Sequence, residues 1–451
     1  MPSRAAFRVV DEVEGDPAEL QVYEHGWQSW SPTGLYPATA TSARPRLERW
    51  QTMAFRPDRP APPAGFQGEG LLAVVQPDGA ATLWAAPRPT VAVPSIRAAV
   101  VDARLVVSAD VEVERHDEPG PAGLVTALET WADRHAPGEL RPLGTGWCSW
   151  YCHWGAVTAA DISAAVVAID RLDLPIDVVQ VDDGYQSEIG DWTEWSPRFG
   201  SLAETVSRIN LEGRRAGVWT APFMVGNRSR VAIDRPELLV GGAEAAEEHW
   251  EQRVGVLDVT HPDGEAHLRD VFTTLRELGV TYFKCDFVYA GAMEGRRHGD
   301  ADGIAAYRHG LSIIRDAIGP ESTLLGCGAP LLASIGLVDA MRVSPDIGPH
   351  YEPILGDLSQ PAGRSAMNVE RARRWQHGRW WINDPDCLLV RDEVERRDEW
   401  MDHVAASGGL VVSSDALDQL GDHEVELLRA NLRQTVPEPV PWEPTAPEGP
   451  W

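Results

Sequence analysis

The hydrophobic and polar positions of this chain change their spacing near residue 140. Before that point, short alternating runs are separated by stretches rich in Gly, Pro and Asp, and the runs lie at 71–76, 81–86, 98–109 and 111–115. Because alternation puts successive side chains on opposite faces, these runs predict strands. Their spacing predicts an N-terminal β-sandwich-like domain over residues 1–138, with a helix over 123–135 leading onward.

From about residue 144, apolar strand-like segments alternate with amphipathic ones. Strands are predicted at 144–151, 176–184, 216–222, 280–287, 322–328, 339–344, 379–384 and 408–414. Apolar residues recur every three or four positions over 158–172, 201–213, 263–279, 303–319, 370–378, 393–407 and 422–434, which predicts helices. This α/β pattern indicates a catalytic (β/α)8 TIM barrel over residues 139–435. A doubly wound open sheet is the alternative, although no Gly-rich phosphate loop follows a strand.

Charge and composition limit the classes of partner and substrate that we expect the chain to bind. The 451 residues carry 68 acidic against 40 basic side chains, a net charge of −28, which argues against nucleic acid and anionic membranes and favours a neutral substrate. No segment approaches the roughly 20 apolar residues of a membrane span, and the first residues lack the apolar core of a secretory signal. Five cysteines, an odd and low number, indicate reduced thiols. We expect a cytoplasmic protein, compatible with a homo-oligomer, whose residues 436–451 form a Pro-rich C-terminal tail.

Carboxylates follow four of the predicted barrel strands, at the ends where TIM-barrel active sites form. Strand two ends in Asp182 and Asp183, strand four ends in Asp286, and strand seven ends in the sequence Asn-Asp-Pro-Asp at 383–386. Strand six is followed at once by Asp346. Helix capping does not need so many acids at one rim, so we expect an active site there.

Lys284 is the single lysine of the chain, and the other members of the Lys/Arg set are all Arg. It stands two positions before Asp286 on one strand, so both side chains face the same side, the barrel interior. A compact cation there favours the ionised form of Asp286, as a nucleophile requires. The alternative interpretation is a structural ion pair in the barrel mouth.

Asp346 and the pair Asp182–Asp183 each allow more than one interpretation from spacing alone. Asp346 lies between apolar Pro345 and Ile347, which suits a glycosidase acid, but Ser-Pro-Asp also forms turns. Adjacent ionised carboxylates accept hydrogen bonds from neighbouring sugar hydroxyls, and they equally suit a metal ion or a turn.

Other chemistries find little support in the sequence. His153, the histidine nearest a strand end, stands alone and the cysteines have no metal spacing, so we predict no metal site. No G-x-S-x-G elbow marks a serine hydrolase, and no cofactor is predicted. About half of the 18 tryptophans are expected to pack in the core and on helices. Those clustered beside polar residues, as from Trp147 to Trp154, point to carbohydrate, because the apolar faces of sugar rings stack on aromatic side chains.

The ordered motifs together resemble the α-galactosidases of glycoside hydrolase family 36, which are melibiase-like and share a clan with family 27. HGWQSWSPTG (25–34) resembles the signature of the family's N-terminal β domain. GWCSWY, VVQVDDGY, GVWTAPF, YFKCDF, the strand with Cys327, RVSPD and NDPD resemble its successive barrel motifs, so the resemblance covers roughly residues 20–415. The stretch GCGAPLL after strand five, and RVSPDI, which is closer to family 27, depart from the usual family 36 pattern.

By that resemblance, Asp286 matches the nucleophile and Asp346 matches the general acid/base of a retaining double displacement. Asp182 and Asp183 match the pair that binds the galactosyl O4 and O6 hydroxyls. The remaining matches are Trp219 as a pocket aromatic, Lys284 and Arg342 as hydroxyl contacts, Cys327 at the pocket wall, and Trp30 as a residue closing the pocket.

The resemblance implies a retaining α-galactosidase that hydrolyses terminal α-linked galactose from oligosaccharides or glycosides. Alternatives on the same scaffold are an α-N-acetylgalactosaminidase and an α-galactosyl transglycosylase. Alternatives of other classes are a non-catalytic sugar-binding protein and a metal-dependent barrel hydrolase, and the latter predicts that a chelator abolishes activity.

Overall fold

The structure, a computed structural model, describes residues 6–46, 51–244, 250–354, 356 and 360–449. Its N-terminal strands are β1 (Arg8–Val13), β2 (Gln21–Glu24), β3 (Gly34–Pro37), β4 (Phe66–Glu69), β5 (Leu71–Val75), β6 (Ala81–Ala85), β7 (Ser95–Val101), β8 (Arg104–Ala109) and β9 (Glu114–Glu118). They form two antiparallel sheets, with the orders β3-β2-β5-β6-β9 and β1-β8-β7-β4. The predicted sandwich-like arrangement of this region is therefore present.

Strand β5 shows how the N-terminal sheets join the rest of the molecule. Leu72 and Val74 pack in a core between the two sheets together with Val107. Leu71 and Ala73 point the other way and belong to the large core that continues into the barrel. Since side chains alternate along a strand, one that is buried on both faces needs an apolar residue at every position.

Two of the predicted N-terminal strands are corrected by the structure. The run 98–109 is a hairpin of β7 and β8, because Asp102 (φ 47°) and Ala103 (φ 60°) both adopt the left-handed backbone of a tight type I′ turn. The Asp-Ala pair lacks the glycine that would have marked this turn. The run 111–115 is displaced, since the strand there begins at Glu114.

The remaining strands are β10 (Gly146–Cys148), β11 (Val178–Val181), β12 (Arg215–Thr220), β13 (Met224–Gly226), β14 (Leu239–Glu244), β15 (Val254–Leu257), β16 (Val280–Cys285), β17 (Thr323–Gly326), β18 (Ala340–Arg342), β19 (Ile382–Asp384) and β20 (Val412–Ser413). Eight of them lie parallel in the order β19-β18-β17-β16-β12-β11-β10-β20. The outer two approach each other, because the amide of Leu388 donates to Val412 O (2.8 Å) and that of Leu410 donates to Asn383 O (2.8 Å). The sheet is therefore the predicted (β/α)8 barrel.

The helices are α1 (Gln51–Ala54), α2 (Gly123–Arg134), α3 (Trp150–His153), α4 (Ala159–Arg171), α5 (Leu202–Leu211), α6 (Arg230–Asp234), α7 (Pro262–Glu277), α8 (Gly303–Ile318), α9 (Leu331–Ser334), α10 (Gly363–Arg373), α11 (Arg397–Ser407) and α12 (Asp422–Asn431). Local signals fix several of their ends. Thr158 and Asp161 form a reciprocal capping box at the start of α4, and Gly319 with φ 76° ends α8.

Each predicted barrel strand and each predicted helix overlaps an observed one. The structure differs from the prediction in two respects. Helix α10 begins at Gly363, well before the predicted residue 370. A small antiparallel sheet of order β13-β15-β14 is an unpredicted addition between β12 and α7. Its strands are short and contain glycines, so their hydrophobic pattern is weak.

Residues 432–449, after α12, pack as an extended arm without regular secondary structure. Its Trp442 indole donates to the carbonyl of Arg371 (2.6 Å), and its Glu448 carboxylate accepts from Tyr351 Oη (2.9 Å). No helix of the described residues is long and apolar enough to cross a membrane. All five cysteines are free.

Candidate active site

A cavity of about 240 Å³ opens at the carboxyl ends of the barrel strands. It is lined by Trp30, Trp150, Trp154, Asp182, Asp183, Trp219, Trp250, Lys284, Asp286, Phe287, Cys327, Asp346 and Pro361. Eight of the nine predicted site residues are in this lining, and Arg342 lies outside it. A larger cleft, of about 680 Å³, borders the small sheet and holds none of the predicted residues. The barrel therefore brings the predicted carboxylates together in the smaller cavity.

Lys284 places its ammonium group between two of the carboxylates. Its Nζ lies 2.9 Å from Oδ2 of Asp182 and 3.9 Å from Oδ2 of Asp286. Burial alone would lower the pKa of Lys284, but the two carboxylates outweigh burial and raise it well above its usual value. The lysine is thus a fixed cation whose closer partner is Asp182.

Asp286 directly follows β16 and has both carboxylate oxygens engaged. Oδ2 accepts from Trp219 Nε1 (3.1 Å), and Oδ1 accepts from the amide of Phe287 (2.7 Å). Phe287 has φ 49°, a left-handed conformation that is uncommon for a bulky residue and turns the chain sharply after Asp286. Phe287 itself is part of the cavity lining, directly after the carboxylate in the chain.

Asp182 and Asp183, at the end of β11, are held by different donors. Asp182 Oδ2 accepts from Gln180 Nε2 (2.6 Å) as well as from Lys284. Asp183 accepts from Gln186 Nε2 (2.5 Å) and from Trp250 Nε1 (2.9 Å). Burial and the charges of Asp182 and Asp286 raise the pKa of Asp183, and the two hydrogen bonds oppose that rise. The pair offers acceptor oxygens side by side at one wall of the cavity.

Asp346 lies in the loop after β18, with 29% of its side chain exposed to the cavity. Its Oδ1 accepts from Arg342 Nη1 at 3.0 Å. Burial, followed by the charge of Asp386, raises the pKa of Asp346 to about 7, although Arg342 acts in the opposite direction. A carboxyl group with this pKa keeps its proton close to neutral pH and is able to donate it.

Arg342 lies beneath the cavity and joins three carboxylates. Besides Asp346, its Nε is 3.1 Å from Asp384 Oδ2 and its Nη2 is 2.7 Å from Asp386 Oδ1. The guanidinium is almost completely buried. The structure therefore places Arg342 as the support of Asp346 rather than in the cavity lining.

Asp386 supports the same loop from below. Its Oδ2 accepts from Tyr151 Oη (2.5 Å) and from the amide of Ile347 (2.7 Å), while the amide of Cys387 donates to Oδ1 (2.6 Å). Its φ of 90° is a left-handed value that a non-glycine residue rarely adopts. The backbone is thus held in an unfavourable conformation where this carboxylate reaches the residue after Asp346.

Cys327 follows β17 and forms part of the cavity wall. Burial is the main reason that the pKa of its thiol is raised well above the usual value, and Asp286 adds to the effect. A thiol in this state is neutral and contributes a small, weakly polar surface.

Several lining residues were not among the predicted ones. Trp150 and Trp154 follow β10, where the strand-end rule and the tryptophan cluster of the sequence together could have selected them. Trp250 lies outside any predicted element, in the segment that leads into β15, and no sequence pattern marks it. Among the described residues, no group of three or more His, Cys, Asp or Glu side chains could hold a metal ion.

Residues 156–315 match the model of the Melibiase family. A curated relative, the bifunctional alpha-galactosidase/sucrose kinase of Mediterraneibacter gnavus, is 32% identical over 79 residues, which is 16% of this chain and 8% of that protein. The matched segment is thus a small part of that relative's length.

Solved structures match almost the whole chain. An alpha-galactosidase from Thermus thermophilus in complex with p-nitrophenyl alpha-D-galactopyranoside has a TM-score of 0.79 and 27% identity, over 94% of this chain and 91% of that one. The same enzyme in complex with stachyose has a TM-score of 0.79 and 28% identity, over 95% and 96%. The alpha-galactosidase from Lactobacillus brevis, at 13% identity and a TM-score of 0.61 over 94% and 60%, shares the fold. These similarities show that the chain shares the fold of these α-galactosidases, and together with the family match they support a glycoside hydrolase.

Proposed function

We propose that this chain is a retaining α-galactosidase, with Asp286 as the nucleophile and Asp346 as the general acid/base. The observation that carries the proposal is the contrast between these two carboxyl groups in one cavity. Asp286 accepts hydrogen bonds on both oxygens beside the Lys284 ammonium. Asp346 has a pKa raised to about 7. Acid-assisted cleavage of a glycosidic bond requires this division between an acceptor and a proton donor.

The proposed reaction is a double displacement. A carboxylate oxygen of Asp286 attacks the anomeric carbon while the bond to the leaving oxygen breaks, and Asp346 gives that oxygen its proton. The carboxylate of Asp346 then removes a proton from water, whose oxygen attacks the anomeric carbon and releases Asp286. Arg342, 3.0 Å from Asp346, compensates the negative charge that Asp346 carries between the two steps.

Galactose as the sugar is supported by acceptor groups and by similarity. The carboxyl oxygens of Asp182 and Asp183 can accept hydrogen bonds from sugar hydroxyls at one wall of the cavity. The Thermus thermophilus enzyme binds p-nitrophenyl α-galactopyranoside and stachyose, both of which carry α-linked galactose. A neutral sugar also suits a chain with a net charge of −28.

The first experiment compares the wild type with Asp286→Ala on nitrophenyl α-galactoside, with and without azide. Loss of the nucleophile should lower kcat by a thousandfold or more, about 4 kcal/mol of transition-state stabilisation. Azide should restore turnover and yield β-galactosyl azide, because a small anion can attack from the face that Asp286 vacates. Asp316→Ala, an exposed position on α8, is the matched control and should keep wild-type activity.

A different experimental result would contradict each part of the proposal: the sugar, the site residues and the stereochemistry. Wild-type activity on an α-N-acetylgalactosaminide in place of the α-galactoside would overturn the sugar assignment and leave the mechanism standing. Full activity of Asp286→Ala on any substrate that the wild type cleaves would overturn the site assignment. An α-configured azide product would overturn retention through Asp286.

A further inference from the structure

The cavity is too small to enclose an oligosaccharide. Its volume of about 240 Å³ lies below the ~300–1,000 Å³ of sites that enclose drug-sized ligands. If the proposed galactosidase activity is correct, the galactosyl ring fills the cavity and the rest of the substrate lies at its rim. The leaving group therefore needs a surface outside the cavity floor.

Trp154 is the most exposed tryptophan among the described residues, with 47% of its area accessible, and it also lines the cavity. Tryptophan is usually highly buried, and single exposed apolar residues elsewhere on the molecule need no explanation. An exposed tryptophan that borders a carboxylate-lined pocket is different, because its accessible surface is available to the apolar face of a second sugar ring.

The ring of Trp154 is held by aromatic neighbours. Its centroid lies 5.0 Å from Trp150 with an interplanar angle of 71°, and 5.4 Å from Tyr151 with an angle of 82°. Both contacts are edge-to-face, a preferred geometry for aromatic pairs. These contacts fix the tilt of the indole, and 47% of the area of Trp154 stays accessible beside them.

The backbone of this turn is unusual as well. Trp154 has φ 50° and ψ −155°, a conformation that a bulky residue rarely adopts. The turn also packs tightly on the end of β11, since a Cβ at Gly184 would lie 2.7 Å from the carbonyl oxygen of Gly155. The chain thus carries a large aromatic side chain at a position whose backbone conformation glycine would adopt with less strain.

The turn is linked by hydrogen bonds to the loop of the proposed acid/base. Tyr151 Oη and the amide of Ile347, the residue after Asp346, share the same oxygen of Asp386. One buried carboxylate thus joins the turn after β10 to the loop that carries Asp346. A double displacement sends the leaving group away from the nucleophile and toward the acid, here Asp346, whose loop is linked to the turn after β10.

We propose that Trp150 and Trp154 form the binding site for the leaving group, in which the neutral sugar next to the scissile bond packs on the exposed side chain of Trp154. This inference rests on the proposed galactosidase activity and adds the part of the site that recognises the remainder of the substrate. The same surface receives the acceptor when a sugar hydroxyl replaces water in the second step.

The test compares two substrates in Trp154→Ala, Trp154→Phe and the wild type. Stachyose has a sugar leaving group, whereas α-galactosyl fluoride has a leaving group that cannot stack. For Trp154→Ala we expect the ratio of kcat/KM for stachyose to that for the fluoride to fall about tenfold, equivalent to ~1.4 kcal/mol. Trp154→Phe should recover most of this ratio because it retains an aromatic face. Leu211→Ala, at an 82% exposed position on α5, is the control and should leave the ratio unchanged.

A second readout follows the acceptor role. With α-galactosyl fluoride as donor and an added sugar as acceptor, Trp154→Ala should form less transfer product per galactose released than the wild type. An unchanged substrate ratio, or an equal loss on both substrates, would overturn the leaving-group site and leave the galactosidase assignment intact. A wild type inactive on both substrates would overturn the proposed function, and the leaving-group site with it.

Discussion

The hydroxyl of Tyr151 donates a 2.5 Å hydrogen bond to Oδ2 of Asp386. This buried bond joins the turn after β10 to the segment after β19. Asp386 in turn contacts Arg342 and the amide that follows Asp346. The environment of the proposed acid/base is therefore set by a carboxylate that does not line the cavity.

Asp386→Asn should shift the pH dependence of the reaction. The charge of Asp386 raises the pKa of Asp346, and Asp386 also holds Arg342, which lowers it. Removing the charge frees Arg342 to pair more closely with Asp346, so both effects lower the pKa of Asp346. We expect the basic limb of the kcat/KM profile on a sugar substrate to move to lower pH.

The matched control for this variant is Asp339→Asn, at the amino end of β18 and away from the cavity. It should leave the basic limb where the wild type has it, near pH 7. If both variants show the wild-type profile, Asp386 has no influence on the proton of Asp346.

Asp346→Asn should change how stability depends on pH. The pKa of Asp346 is about 7 in the folded protein against the usual 3.8. Between these two values the folded state binds more protons than the unfolded state, so this group makes the free energy of unfolding fall as pH rises from about 4 to 7.

The asparagine lacks this proton equilibrium. Urea unfolding at pH 4 and at pH 8 should therefore show the variant gaining stability relative to the wild type at the higher pH. Asp316→Asn on α8 should show a constant difference. If the free energy of unfolding differs between Asp346→Asn and the wild type by the same amount at both pH values, the result would contradict a raised pKa at this position.

Lys284→Met should lower both stability and activity. The substitution leaves Asp182 and Asp286 without their cation in a buried setting, and breaking a buried ion pair from one side costs about 3–5 kcal/mol. Chemical denaturation measures this loss. Arg269→Met, which removes an exposed pair with Glu265 on α7, should cost only about 0–1 kcal/mol.

Trp250→Phe should weaken sugar binding while the cavity keeps an aromatic wall. The change removes the 2.9 Å hydrogen bond to Asp183, which opposes the rise of the Asp183 pKa. A hydrogen bond to a charged group contributes about 1.5–3 kcal/mol, so we expect kcat/KM to fall by tenfold or more.

Trp195→Phe, outside the cavity lining, is the matched control for Trp250. It should leave kcat/KM near the wild-type value. If Trp250→Phe also leaves kcat/KM unchanged, the indole contributes packing and its N–H has no part in holding Asp183.

The local pattern of the sequence was sufficient to predict the barrel. Strand-length apolar runs, helical spacing and end signals such as the capping box at Thr158 are properties of neighbouring residues, so they can be read without a fold. The rule that barrel sites form at strand ends then selected Asp182, Asp286 and Asp346. The hairpin at Asp102–Ala103 was missed because its turn lacks the usual residues.

The contacts between distant segments were decided by the tertiary structure alone. No local pattern shows that Lys284 pairs more closely with Asp182 than with Asp286, since that depends on how β11 and β16 curve in the barrel. Nor does it show that Trp250 reaches Asp183.

The roles of Arg342 and Asp386 were also decided partly by the sequence and partly by the tertiary structure. The sequence places both at strand ends, but burial and mutual distance determine that they support Asp346 from beneath the cavity. Sequence by itself determined which residue types stand at the rim of this barrel. Only the folded chain decided which of them meet, because hydrogen bonds and charge effects on a pKa depend on distances of a few ångströms between residues far apart in the chain.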